Sequence, residues 1–75
     1  MDMRDVRVLV VGDGSDAGAA VELATAGGAR VTRAADDADA VRNPVPDVLV
    51  VDEWTAEDAP HVLRARAAGA RVTVP

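Results

Sequence analysis

Two aspartates stand where apolar runs end. Asp13 follows the run Val6–Val11 after a single glycine, and Asp52 directly follows Val48-Leu49-Val50-Val51. If both runs are neighbouring strands, about 5 Å apart, their carboxylates approach each other at one end of a sheet. Paired carboxylates repel unless a proton or a cation joins them. A hard cation such as Mg²⁺ suits oxygen ligands of this kind. The plainer use of both acids is to solvate loops and cap helices, in a chain with ten Asp. A second chemistry lies in Gly12-Asp13-Gly14-Ser15-Asp16-Ala17-Gly18. Gly12, Gly14 and Gly18 would let a nucleotide pyrophosphate approach a helix N-terminus. Asp13 and Asp16 put negative charge against it, and only Asp36, with Arg33 nearby, stands in for the expected acid after the second strand. Trp54, the only aromatic residue, lies two positions beyond Asp52. It is a lid, a partner contact or a plug over the core, and packing is the commoner fate of a lone loop tryptophan.

Composition removes most other chemistries. The chain has 75 residues, enough for one small domain spanning 1–75. It has no Cys, so disulfides, thiolate catalysis and Cys-based zinc sites are excluded. Its one His, His61, is expected at the surface. With Ser15 the only serine, no nucleophilic triad can be assembled, and a non-catalytic protein is expected. The net charge of −5 argues against a nucleic-acid surface. No apolar run approaches the roughly 18 residues of a membrane span, and Met1–Asp5 lacks the layout of a signal peptide. A cytoplasmic location is the default expectation. Sixteen Ala and fourteen Val against four Leu imply a core of small side chains and marginal stability. Arg without Lys, and Asp over Glu, resemble the usage of salt-loving organisms, where salt screens self-repulsion.

The elements that must position these residues alternate in type. Val6–Val11 reads as strand 1. Ser15 caps helix 1, over 16–26, with Ala17, Ala20, Val21 and Ala24 on one face. Gly27-Gly28 stops it. Strand 2 covers 29–33. Asp36-Asp37 caps a short helix 2 that ends near Arg42, before Asn43-Pro44. Strand 3 covers 48–51. Pro60 in a first turn favours Asp58 as the cap of helix 3. Gly69 ends that helix, and strand 4 covers 70–74. Arg64, Arg66 and Arg71 are expected to answer the dipole of helix 3 and the surrounding acids.

Alternating strands and helices require a parallel sheet with crossovers. Strands 1 and 3 are almost wholly apolar, as strands buried on both faces are. Strands 2 and 4 alternate with Arg and Thr, as edges do. The order is therefore 2-1-3-4, a three-layer flavodoxin-like (Rossmann-like) α/β fold with four parallel strands and three helices. Right-handed crossovers put helix 1 alone on one face and helices 2 and 3 on the other. A complete fold of this type adds a fifth strand and a helix beside helix 1, and the four predicted strands supply neither. Strand 4 is then a free edge, and the sheet beside helix 1 lacks cover. That face is expected to be an interaction surface, most simply of a homodimer, with Arg71 and Thr73 on it.

The stretches Val8–Ser15 and Pro46–Trp54 resemble a response-regulator receiver (CheY-like) domain. In that family an acidic pair after strand 1 holds Mg²⁺, and a phosphoacceptor Asp ends strand 3. The resemblance implies Asp52 as phosphoacceptor, Asp13 as the second acid of the pair and the carbonyl of Trp54 as a metal ligand. Gly12 stands where the first acid belongs. Thr73 is the nearest match to the family's switch residue, and the family's Lys has no counterpart. What the resemblance implies is a truncated, degenerate receiver-like module. The function expected is non-catalytic protein interaction or regulation with self-association. The alternatives are an Mg²⁺-dependent phosphoacceptor using Asp52 and a nucleotide-binding module using Gly12, Gly14 and Gly18.

Overall fold

A computed structural model describes residues 4–74, so Met1–Met3 of the N-terminal reading and Pro75 lie outside the described residues. The elements run β1 (Arg7–Val11), α1 (Ser15–Ala26), β2 (Arg30–Ala34), α2 (Asp37–Arg42), β3 (Val48–Val50), α3 (Pro60–Ala67) and β4 (Arg71–Thr73). The four strands form one parallel sheet in the order β2-β1-β3-β4. This is the flavodoxin-like order expected from strand polarity. Helices lie on both faces, giving three layers.

The period of two along each strand divides the interior into two clusters. Leu9, Val11, Ala34, Leu49 and Val51 point to one face, where Ala40 of α2 and Val62 and Ala65 of α3 close over them. Val8, Val10 and Val50 point to the other, where Ala17, Ala20, Val21 and Ala24 of α1 meet them. That is the predicted stripe of α1.

Several local expectations are corrected. The N-cap of α1 is Gly14 rather than Ser15, and it makes no side-chain capping bond. The N-cap of α3 is Ala59 rather than Asp58, because Pro60 occupies the first turn one residue later. At α2 the expected cap is present: the Asp36 carboxylate accepts the Asp39 N–H at 2.8 Å, and Asp39 Oδ2 accepts the Ala35 N–H at 3.3 Å. His61 is not at the surface; it is 1% exposed between α3 and α2. It shares the inward stripe of Val62 and Ala65. Neither imidazole nitrogen has a hydrogen-bond partner among the described residues, and Nε2 lies 3.8 Å from Asp37 Oδ1.

Arg64 does not serve its own helix. Its guanidinium donates to the carbonyls of Val41 (2.9 Å) and Ala40 (3.2 Å) in the last turn of α2. Asn43 Nδ2 donates to the Asp39 carbonyl at 2.9 Å. Carbonyls left over at the end of a helix need such donors. A helix of six residues is too short to persist by propensity; Asn43 closes its own end, and Arg64 fastens α2 to α3.

Candidate functional site

Two concave regions hold most of the residues singled out in the sequence, and they lie on different parts of the sheet. The first is a cleft of about 350 Å³ at the carboxyl ends of β1 and β3. The β1–α1 turn and the β3–α3 loop wall it, and Val10, Val11, Val50 and Val51 floor it. Gly12, Asp13, Gly14, Asp52 and Trp54 all line it, so the structure brings together most residues singled out for chemistry. This is where open parallel sheets place ligands.

Several groups of the cleft are engaged within the protein. Asp52 Oδ1 accepts the Trp54 N–H at 3.0 Å and the Thr55 hydroxyl at 2.9 Å. The carboxylate thus folds its own loop. Its Oδ2 faces Gly12, 3.9 Å from where a Cβ there would stand. Gly12 has φ +125°, a conformation that an acidic residue rarely adopts. The Gly12 N–H donates to the Ala34 carbonyl at 2.8 Å and is not free for a phosphate. Arg33, on β2, donates to the Gly12 carbonyl at 3.1 Å and to the Gly14 carbonyl at 3.4 Å. That clamp on the β1–α1 turn was not readable from the sequence. A Cβ at Gly14 or Gly18 would meet nothing within 4 Å. Neither glycine is therefore required by close packing within the chain. Among the described residues no group of three His, Cys, Asp or Glu side chains could hold a metal ion. Trp54 is 86% exposed and plugs nothing.

The second region is the face of the sheet beside α1. A shallow groove of about 540 Å³ runs there, lined by Ala20, Leu23 and Ala24 of α1 and by Val8, Val48 and Val50 of the sheet. Thr73 lines its far side. The register pairs Val48 with Arg71 and Val50 with Thr73. Laterally paired residues share a face, so Arg71 and Thr73 both lie on the groove side. Leu23 stands 77% exposed at the rim. Asp16 lies at one end of the groove, beside the start of α1. Arg71 begins β4, at the opposite end of the strands, and has no ion-pair partner among the described residues.

No described helix is long and apolar enough to cross a membrane. Set against protein-family models, curated proteins and solved structures, the chain matches none.

Proposed function

We propose that this chain is a small non-catalytic interaction or regulatory module, receiver-like in outline, that self-associates through the α1 side of its sheet. The carrying observation is the groove between α1 and β4. It is apolar and it is open, whereas on the other face of the same strands Leu9, Leu49 and Val51 are buried. Exposed apolar surface of this kind marks an interaction site. A second copy fits it because the face is self-complementary, as a two-fold contact demands. Leu23 is a knob beside its own groove. Asp16 and Arg71 carry opposite charge at opposite ends.

Solution mass by light scattering, across protein concentration and in physiological and high salt, tests this reading. The expected result is a dimer for the native chain and a monomer for Leu23→Glu, with the same circular dichroism. A native monomer at the highest concentration in both salts would defeat it.

One observation favours a second reading, an Mg²⁺-dependent phosphoacceptor at Asp52: Asp13 and Asp52 share one cleft. The fluorescence of Trp54, beside that cleft, reports on it. A saturable Mg²⁺ response at constant ionic strength, lost in Asp52→Asn, would support phosphoacceptor chemistry. A flat response leaves both acids to loop folding and solvation.

A further inference from the structure

A different part of the molecule carries a feature that self-association does not use. On the face covered by α2 and α3, the cover is incomplete. α2 stops at Arg42, and the chain returns toward β3 through Asn43-Pro44-Val45-Pro46, outside any helix or strand. The amino-terminal halves of β1 and β2 are left beneath this segment. A pocket of about 210 Å³ remains there, floored by Leu9 and walled by Val45 and its proline neighbours.

The residues at its mouth are unusual for so acidic a chain. Arg7 and Arg30 are register partners on adjacent parallel strands, and both line the pocket. The next pair on the same face is Leu9 with Thr32, which puts a hydroxyl-bearing residue on the wall of the same pocket. Like charges side by side on neighbouring strands destabilise a sheet. Acids are plentiful in this sequence, yet among the described residues no carboxylate pairs with either guanidinium. Asp47, whose carboxylate reaches the start of β1, accepts the backbone N–H of Arg7 at 2.9 Å instead.

We propose that Arg7 and Arg30, with the Thr32 hydroxyl, form a binding site for a small oxyanion group, a phosphate or a carboxylate. Two guanidiniums supply planar forks of N–H donors that match such groups. A bound anion also removes the repulsion between them. The apolar floor and the Val45 wall hold the aliphatic part of a ligand carrying that group. The site is on the opposite face from the self-association groove, so either can fail without the other.

The test is a titration followed by amide NMR at constant ionic strength, with inorganic phosphate in one arm and acetate in the other. Saturable shifts are expected at Arg7, Leu9, Arg30 and Thr32 in at least one arm, and which arm responds identifies the oxyanion. Arg7→Gln and Arg30→Gln should each weaken binding about tenfold or more. Arg66→Gln, which removes an exposed charge on α3, should leave it unchanged. A thermal readout is independent of the spectra. Without anion, Arg30→Gln should melt no lower than the native chain, and added anion should stabilise only the native chain. Shifts that do not saturate, that spread over all the arginines, or that survive in Arg7→Gln and Arg30→Gln would overturn the proposal.

Discussion

The same three strands, β1, β3 and β4, meet two different fates on their two faces. Toward α2 and α3, Leu9, Leu49 and Val51 are almost fully buried, and the neighbouring helices are tied to each other by Arg64 and its carbonyl partners. Toward α1, Val10 is fully buried under the helix, but Val48 is only partly covered and Leu23 stands in solvent. One helix cannot cover a face four strands wide. The closed face holds the fold, and the open face is free to meet a partner. Packing is thus unequal on the two sides of one sheet.

Substitutions that strike one face alone sharpen or break this division. The largest effect is expected on the closed face. Leu49→Ala removes a side chain that is 1% exposed and should cost about 2–5 kcal/mol, enough to unfold most of a domain of this size. Chemical denaturation monitored by circular dichroism measures it; a loss below about 1 kcal/mol would mean that the closed face is not the stabilising one. Leu23→Glu should do the reverse. It leaves folding stability nearly unchanged and weakens self-association by roughly 3 kcal/mol or more, since each dimer loses two buried leucines. Dilution experiments would read that as a change of about a hundredfold in dissociation constant. Next comes Arg64→Gln. It withdraws a charged donor from the carbonyls of Ala40 and Val41 and should lower stability by about 1–2 kcal/mol, with hydrogen exchange rising first in α2. Uniform loss of protection across the chain would contradict the anchoring role. The smallest effect belongs to Trp54→Ala, expected within about 0.5 kcal/mol because the side chain is 86% exposed. A larger loss would show that the ring contributes to the core after all.

Much of this architecture is legible in the amino-acid order. The contrast between apolar Val8–Val11 and Val48–Val51 and the alternating Arg30–Arg33 and Arg71–Thr73 is enough to place β1 and β3 centrally. The open groove follows from that order and from crossover handedness. Side-chain partnerships at a distance were not legible. Arg64 finds carbonyls 23 and 24 positions away, and Arg33 clamps a turn on a neighbouring strand. Nothing local in the sequence marks either. His61 is a different case. It lies beside Val62 and four residues before Ala65, so helical spacing alone puts it on the buried stripe; its polarity argued for the surface, and the spacing prevailed. For Trp54 hydrophobicity misleads: the ring is exposed, and Asp52 folds the loop that carries it. Of the cleft, the meeting of Gly12, Asp13, Asp52 and Trp54 was foreseeable from topology. The engagement of Asp52 Oδ1 by its own loop required the structure.

The most direct test of the division between faces is isotope-filtered NMR on a mixture of labelled and unlabelled chain. Intermolecular contacts are expected from the Leu23 methyls of one copy to the Ala20, Ala24, Val48 and Val50 methyls of the other. Contacts made through the exposed faces of α2 and α3, or through Trp54 alone, would contradict it, as would their absence at concentrations where the native chain has the mass of a dimer.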